Sequence, residues 1–255
     1  MNRISEAFNK KKKNILSIYF TAGYKGLNKS IEIIKNLEDS GVDIVELGMP
    51  FSDPVADGPI IQKSSETALS HGMSVKQLFE ELKDLRKQVS IPVLLMGYLN
   101  PIIQYGVEEF CKRCSEVGID GVIIPDLPLD VYERHYESIF ENYRITNTLL
   151  VTPQTNDIRI KQIDKKSNGF IYVVSSNGTT GDNKAILHND YFAHIKSLQL
   201  KTPTLIGFGI KDNKSFLNAC EYANGAIIGS SFVKHIESSC STKHIKSFVD
   251  EIVKS

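Results

Sequence analysis

Two carboxylates in the first quarter of the chain are candidates for proton transfer, one within an apolar segment and one in the loop that follows it. The first, Glu46, interrupts the apolar segment IVELG at residues 44–48. Burying a carboxylate is unfavourable unless it is paired or protonated, so we expect its pKa to be raised, which suits a general acid or base near neutral pH. The same placement also fits a structural carboxylate bonded to backbone or to a lysine.

The second carboxylate belongs to the loop that directly follows Glu46. Residues 49–59 read MPFSDPVADGP, and their three prolines restrict the backbone, which can hold catalytic groups in place. Asp53 and Asp57 are both candidates in this loop. For either residue taken singly, turn formation or helix capping is the more common role of an aspartate.

Three glycine-rich loops follow in the last third of the chain. They read SSNGTTG at residues 175–181, GFGI at 207–210 and GSS at 229–231. Glycine lets backbone N–H groups approach a ligand closely, and a helix N-terminus adds the positive end of its dipole. Any one of them could be an ordinary turn, but the set together predicts a phosphate-binding site.

The cysteine and histidine residues do not predict a metal or redox site. Cys111 and Cys114 have a suggestive spacing, yet Val107, Phe110 and Val117 complete one helical stripe with them. We therefore expect both thiols to pack in the core, since no second Cys or His pair accompanies them. The six histidines are scattered without ligand spacing, and none ends a predicted strand.

Alternating strands and helices must position these residues. Ser74 and Gln77 form a capping-box pattern that begins a helix running to Val89, and Gly41 ends another that begins near Leu27. Apolar segments predict eight strands, at residues 15–21, 43–47, 92–96, 121–124, 145–151, 170–174, 203–207 and 226–228.

Eight strand–helix units in 255 residues are typical of a (β/α)8 or TIM barrel of the α/β class, with residues 1–255 as a single domain. In such a barrel, functional residues lie on the loops at the carboxyl ends of the strands. The alternative is a doubly wound open sheet. The turn TAGYKG at residues 21–26 lacks the G-x-G-x-x-G spacing of a dinucleotide-binding fold, which favours the barrel.

Three segments extend this minimal barrel. Residues 3–12 predict a short amphipathic helix with Ile4 and Phe8 on one side, which we expect to close the bottom of the barrel. An extra helix is predicted within residues 48–72, after the second strand. One or two closing helices are predicted within residues 232–252, after the eighth strand.

Composition limits the function classes. Thirty basic and thirty acidic residues balance to zero, so no overall positive field attracts nucleic acid or an anionic membrane. No stretch approaches the roughly 18 apolar residues of a membrane span, and no signal peptide is recognisable, so we expect a cytoplasmic protein. Four cysteines are too few for a disulfide framework, in keeping with a reducing compartment.

Four segments together resemble the tryptophan synthase α-subunit family. The stretch ELGMPFSDPVADGPIIQ is highly specific to it, and the glycine-rich loops extend the resemblance over nearly the whole chain. The resemblance implies retro-aldol cleavage of indole-3-glycerol phosphate to indole and glyceraldehyde 3-phosphate, a carbon–carbon lyase step of tryptophan biosynthesis that needs no cofactor in this chain. The four segments are YFTAG at 19–23, the segment 45–62, MGYLNPI at 96–102 and the segment 120–128.

The resemblance also implies roles for individual residues. Glu46 corresponds to the general acid and base, and Asp57 to the carboxylate that binds the indole N–H. Ser176 stands where many members of the family carry arginine. The other implied site residues are Tyr19, Met96, Leu127, Tyr172 and Phe208 around the substrate, Gly181, Gly209, Gly229 and Ser230 at its phosphate, and Thr180 in a lid that reaches Asp57.

A partner is implied as well, a β subunit that carries pyridoxal phosphate and receives indole through a tunnel in an α2β2 heterotetramer. Residues 53–54, 100–105 and 126–128 would face it. The main alternative is a stand-alone lyase that releases free indole from the same site. More distant alternatives are another sugar-phosphate barrel enzyme, such as an isomerase or epimerase, and a barrel that acts only as an allosteric binding subunit.

Overall fold

Eight parallel strands form a closed barrel in which each strand pairs with the next and the eighth pairs with the first. The computed structural model describes residues 2–175 and 189–254. The strands are β1 (Ile15–Thr21), β2 (Ile44–Gly48), β3 (Val93–Met96), β4 (Gly121–Ile123), β5 (Thr146–Val151), β6 (Ile171–Val174), β7 (Thr204–Gly207) and β8 (Gly225–Ile228).

Helices surround the barrel and lie between successive strands, as expected for crossover connections between parallel strands. They are α1 (Arg3–Lys10), α2 (Ser30–Asp39), α3 (Pro59–Ser70), α4 (Val75–Glu81), α5 (Leu85–Gln88), α6 (Leu99–Tyr105), α7 (Val107–Val117), α8 (Leu129–His135), α9 (Glu137–Asn142), α10 (Asp157–Lys166), α11 (Asn189–Ser197), α12 (Asn213–Tyr222), α13 (Ser230–His235) and α14 (Thr242–Val253). None of those in the described ranges is long and apolar enough to cross a membrane.

The predicted barrel is confirmed, and every predicted strand is present with its ends shifted by at most one residue. The predicted helix that ends near Val89 is wrong in one respect, because a 3-10 turn at Leu82–Asp84 divides it. Leu82 and Leu85 are both fully buried, and a 3-10 turn of three residues keeps side chains three apart on one face. Ser74 caps α4 as predicted, by accepting the N–H of Gln77 at 3.1 Å.

The barrel interior below the cavity is mostly apolar, and α1 closes its lower end. Ile4 and Phe8 of α1 pack into one cluster with residues of the strands, which confirms the predicted closing helix. The side chain of Asn2 caps this helix by accepting a hydrogen bond from the Ser5 N–H at 2.8 Å. It also donates from its amide nitrogen to the Thr146 hydroxyl group at 3.0 Å. The strand residues of this cluster are Ile15, Ile44, Leu94, Ile123, Tyr172, Val174, Leu205 and Ile227.

The second hydrophobic layer lies between the barrel and its helices. On α7, Phe110, Cys111 and Cys114 are fully buried in this layer, which confirms the predicted packing stripe. Burial raises the pKa of both thiols, so neither is a ready nucleophile. Within residues 2–175 and 189–254, no three His, Cys, Asp or Glu side chains are grouped to hold a metal ion.

Candidate active site

A cavity of about 350 Å³ opens at the carboxyl ends of the strands. It lies where barrel enzymes place their functional residues. Nine of the residues predicted for the site line it together, although they come from six different strand ends or loops. They are Tyr19, Glu46, Asp57, Met96, Tyr172, Phe208, Gly209, Gly229 and Ser230.

Glu46 is fully buried at the base of this cavity, with 0% of its surface exposed. The hydroxyl group of Ser17 donates to its Oε1 at 2.8 Å, whereas Oε2 has no hydrogen-bond partner among the described residues. Burial raises the pKa of Glu46 to about 8, and the Ser17 hydrogen bond opposes that rise. Near neutral pH the carboxyl group can therefore both donate and accept a proton.

Asp57 is partly buried at the cavity wall, two residues before α3 begins. Tyr98 donates a hydrogen bond from its hydroxyl group to Oδ2 of Asp57 at 2.9 Å. The same hydroxyl oxygen accepts the N–H of Ala56 at 3.0 Å. Burial raises the pKa of Asp57, and the hydrogen bond from Tyr98 counteracts that effect. Asp53, in contrast, is exposed in the same loop.

Two tyrosines reach the cavity because two glycines leave room for them. A Cβ atom on Gly48, at the end of β2, would overlap the ring end and hydroxyl group of Tyr19. A Cβ atom on Gly207, at the end of β7, would overlap the corresponding atoms of Tyr172. Burial raises the pKa of both tyrosines, so their hydroxyl groups stay protonated and available as donors.

The loop after β7 has an unusual backbone. Phe208 has φ +70° and Gly209 has φ +72°, a region that an aromatic residue rarely adopts. Ser175 donates from its hydroxyl group to the carbonyl oxygen of Phe208 at 2.6 Å, and the rings of Tyr172 and Phe208 meet edge to face at 6.0 Å. These contacts hold the phenylalanine at the cavity, where such strain is commonly retained for function.

The loops after β7 and β8, where a phosphate site was predicted, form one wall of the cavity. Gly229 precedes α13, whose first residue is Ser230, and both residues line the cavity. Lys211 and Lys214, near the start of α12, also line it, as does Asp212 between them. These two lysines were not predicted as site residues, although the segment KDNK directly after GFGI places both of them close to the loop.

The other three residues predicted for the site or its lid do not line this cavity or lie outside the described residues. Leu127 lines a separate pocket of about 180 Å³, together with Thr148 of β5. Thr180 and Gly181, and the departure at Ser176, belong to residues 176–188, outside the described ranges.

The two hydroxyl groups that contact the carboxylates were not predicted from the sequence either. Ser17 was one polar residue within the apolar strand ILSIYFT, and Tyr98 was part of the MGYLNPI segment without an assigned role. Each bonds to a residue far away in the chain, so no local spacing could reveal the pair.

The chain matches one known family over nearly its whole length. The family model described as tryptophan synthase alpha chain covers residues 5–254. The chain belongs to the tryptophan synthase alpha chain family. A tryptophan synthase alpha chain from Christiangramia forsetii is 55% identical over 254 residues, which are 99% of this chain and 98% of that protein. One from Flavobacterium johnsoniae is 54% identical and covers 99% and 100% of the two chains.

Solved structures of tryptophan synthase share this fold. The tryptophan synthase alpha chain of Legionella pneumophila superposes with a TM-score of 0.88 at 30% identity, and the match covers 99% of this chain and 96% of that one. Tryptophan synthase from M. tuberculosis in its aminoacrylate-bound form gives 0.86 at 26% identity, with coverages of 99% and 98%. The resemblance seen in the sequence motifs is thereby confirmed at the level of the family.

Proposed function

We propose that this member of the tryptophan synthase alpha chain family cleaves indole-3-glycerol phosphate to indole and glyceraldehyde 3-phosphate, as a carbon–carbon lyase of tryptophan biosynthesis. One observation carries this proposal. The buried carboxyl group of Glu46, with its pKa raised to about 8, shares one cavity with Asp57 and with the glycine-rich loops after β7 and β8. A proton-transfer group, a second carboxylate and an anion-binding wall are what the reaction requires.

The cleavage needs one proton added and one removed. A proton added to C3 of the indole places positive charge on the ring nitrogen. The hydroxyl group on the adjoining carbon then loses its proton, its oxygen forms the aldehyde, and the electrons of the broken carbon–carbon bond return to the ring. Glu46 donates or accepts these protons, because both of its protonation states are accessible near neutral pH.

Asp57 acts on the positive charge that develops during this step. Its carboxylate accepts a hydrogen bond from the indole N–H, and that bond strengthens as the nitrogen becomes positive. Stabilisation that grows in the transition state lowers the barrier, whereas equal binding of substrate and transition state does not. Tyr98 holds Oδ2 of Asp57 at 2.9 Å, so the carboxylate is oriented before the substrate arrives.

The rest of the predicted site binds the substrate. The phosphate group accepts hydrogen bonds from the backbone N–H groups at Gly181, Gly209, Gly229 and Ser230 and from the Ser230 hydroxyl group. The side chains of Tyr19, Met96, Tyr172 and Phe208, which line the cavity, surround the indole ring and the glycerol chain.

A β subunit is the proposed partner, in an α2β2 heterotetramer, and pyridoxal phosphate belongs to that partner and not to this chain. Two exposed apolar side chains support this proposal. Val55, in the loop after β2, is 80% exposed, and Ile103, on α6, is 45% exposed. Each lies within or beside a segment expected to face the partner. We propose that the complex is cytoplasmic.

A product assay tests the lyase reaction. The purified chain is incubated with indole-3-glycerol phosphate, and indole and glyceraldehyde 3-phosphate are measured separately, with and without a tryptophan synthase β subunit and serine. We expect equal amounts of the two products from the chain alone and a faster reaction with the β subunit. Fast release that is indifferent to the β subunit would favour the stand-alone lyase, and no release in any condition would overturn the proposal.

A further inference from the structure

We propose that Ser17 is a positioning residue for Glu46, one that binds Oε1 so that Oε2 is the oxygen that exchanges a proton with the substrate. This inference rests on the proposed function, because it assigns the proton-transfer step to one atom of Glu46. It concerns a serine on β1 that the motif analysis left without a role. Its support comes from geometry, burial and the chemistry of a carboxyl group.

The two residues meet inside the barrel. Ser17 lies between Ile15, which belongs to the interior cluster, and Tyr19, which lines the cavity, so it shares their inward face. In the pairing of β1 with β2, Tyr19 lies opposite Glu46, and Ser17 lies opposite Ile44, two residues nearer the closed end. The serine therefore reaches Glu46 from the closed side of the barrel.

The hydrogen bond is well formed and shielded from solvent. The distance from Ser17 Oγ to Glu46 Oε1 is 2.8 Å, and both residues are 0% exposed. Within the described part of the chain, Ser17 makes the one hydrogen bond that the Glu46 carboxyl group receives. The neighbouring side chains that face the barrel interior, such as Ile15 and Ile44, are apolar, so Ser17 places a hydroxyl group among hydrocarbon side chains.

The other carboxyl oxygen is left without a partner. Glu46 Oε2 is buried and has no hydrogen bond among the described residues. A buried polar atom of this kind is costly to leave unpaired. Glu81 Oε2 is also buried without a partner among the described residues, but Glu81 lies outside the cavity, whereas Glu46 lines it. Glu46 lines the cavity, so a substrate bound there lies beside the carboxyl group, and Oε2 is its oxygen without a partner among the described residues.

These observations place the proton. Ser17 donates to Oε1, so that oxygen is the acceptor in both protonation states, and the acidic proton of the neutral form resides on Oε2. Without the serine hydroxyl group, either oxygen could carry the proton, and the carboxyl group could rotate. Fewer molecules would then have the proton aimed at the indole ring, and the turnover rate would fall while substrate binding persisted.

Kinetics of three variants test this role. In Ser17→Ala we expect kcat for indole-3-glycerol phosphate to fall about tenfold, with KM within about twofold of wild type, as for loss of one hydrogen bond to a charged group. Ser17→Thr and Ser17→Cys keep a donor and should recover part of the rate. Ser40→Ala is the matched control, because Ser40 directly follows α2, away from the cavity, and its buried hydroxyl group donates to the Asn36 carbonyl oxygen at 2.6 Å.

A titration provides a second readout that does not depend on turnover. The carboxyl band of Glu46 is followed by infrared difference spectroscopy against pH, with Glu46→Gln used to identify it. Loss of the Ser17 hydrogen bond removes an interaction that lowers the Glu46 pKa, so the midpoint should move upward in Ser17→Ala and stay unchanged in Ser40→Ala. The pH profile of kcat should move in the same direction.

The outcomes separate the two proposals. If wild type cleaves the substrate but Ser17→Ala keeps its kcat, pH profile and carboxyl titration, the positioning role is wrong and the lyase function stands. If wild type releases no products, the proposed function is wrong. In that case an unchanged Glu46 titration in Ser17→Ala would also overturn the contact between the two residues, and an upward shift would support it.

Discussion

The hydroxyl group of Tyr98 bridges the backbone and the carboxylate of the loop after β2, because it donates to Asp57 Oδ2 at 2.9 Å and accepts the Ala56 N–H at 3.0 Å. Its ring packs against Phe51 with the ring centres 5.4 Å apart. One residue from the loop after β3 thus fixes both the course of the neighbouring loop and the orientation of its carboxylate.

Removal of that hydroxyl group should affect catalysis more than folding. In Tyr98→Phe the ring contact with Phe51 remains, and we expect kcat/KM to fall about three- to tenfold. The hydrogen bond lowers the Asp57 pKa, so its loss raises that pKa. The acidic limb of the pH–activity profile should therefore move to higher pH in Tyr98→Phe. Steady-state kinetics from pH 5 to 9 measure both effects.

Tyr143→Phe is the matched control for this variant. Tyr143 donates to Glu108 at 3.4 Å on the outer helices, away from the cavity. We expect wild-type kinetics from it. Equal pH profiles for wild type and Tyr98→Phe would show that the tyrosine does not orient Asp57.

The fit between Gly48 and Tyr19 predicts a clash that a second substitution relieves. In Gly48→Ala the new Cβ overlaps the end of the tyrosine ring, and overpacking of this kind destabilises by about 1–3 kcal/mol. Tyr19→Leu, added to Gly48→Ala, removes the overlapping atoms and should reverse most of the decrease in Tm. The new Cβ overlaps three atoms of Tyr19, which are Oη, Cζ and Cε2. Tyr19→Phe removes only Oη, so we expect it to reverse only part of the decrease in Tm.

Gly229→Ala is the control for that series, because its Cβ would lie 3.5 Å from Tyr19, an ordinary contact. Thermal unfolding of the single and double variants gives the comparison. If Gly48→Ala melted at the wild-type temperature, the tight fit between β2 and the tyrosine ring would be wrong.

Asp120, at the bottom of the barrel, should contribute to stability without taking part in catalysis. It accepts hydrogen bonds from Arg3 at 2.9 Å, from Arg86 at 2.5 Å and from the N–H of Val93 at 2.9 Å. In Asp120→Asn we expect the free energy of unfolding to fall by about 3 kcal/mol, because the Arg86 guanidinium loses a buried partner.

Urea unfolding measures this loss, and kcat measured on the folded variant should be unchanged. Asp250→Asn is the control, since its ion pairs with Lys246 and Lys254 lie on the exposed surface of α14 and should contribute little. A loss of activity in folded Asp120→Asn would contradict the purely structural role.

Much of the fold could be predicted because its signals are local. Strands buried on both faces read as apolar segments, and Gly41, with φ +95°, ends α2 where the sequence placed the stop. Glu46 could also be predicted, because a carboxylate within such a segment is conspicuous. The division of the helix after Ser74 could not, since it depends on packing against the core.

The contacts that tune the carboxylates could not be predicted, because each joins strands or loops that are distant in sequence. Ser17 and Glu46 meet only when β1 pairs with β2 in one particular register. Tyr98 reaches Asp57 only when the loops after β2 and β3 lie side by side. The assignment of Asp57 rested on the family motif, since aspartate in a loop of this composition more commonly forms a turn.

Burial of Glu46 makes the stability of the protein depend on pH. Its pKa is raised from 4.5 to about 8 in the folded protein, so between those values the folded state binds more protons than the unfolded state. The free energy of unfolding must therefore decrease as the pH rises through this range, by on the order of a few kcal/mol in total.

Glu46→Gln cannot ionise and should lack this decrease. Chemical unfolding of wild type and Glu46→Gln at pH 5, 7 and 9 tests the effect. We expect the variant to gain stability relative to wild type as the pH rises. A difference between the two proteins that stays constant from pH 5 to 9 would refute the raised pKa.

The central claim is that Glu46 transfers the protons of carbon–carbon cleavage, and the most direct test is product release by Glu46→Gln. The control is Glu81→Gln, because Glu81 is a second buried carboxylate, bonded through Oε1 to the Ser30 N–H at 2.6 Å and outside the cavity. We expect Glu46→Gln to lose at least about a hundredfold in kcat, with and without a β subunit, while Glu81→Gln stays active. Wild-type release of indole and glyceraldehyde 3-phosphate by Glu46→Gln would contradict the account.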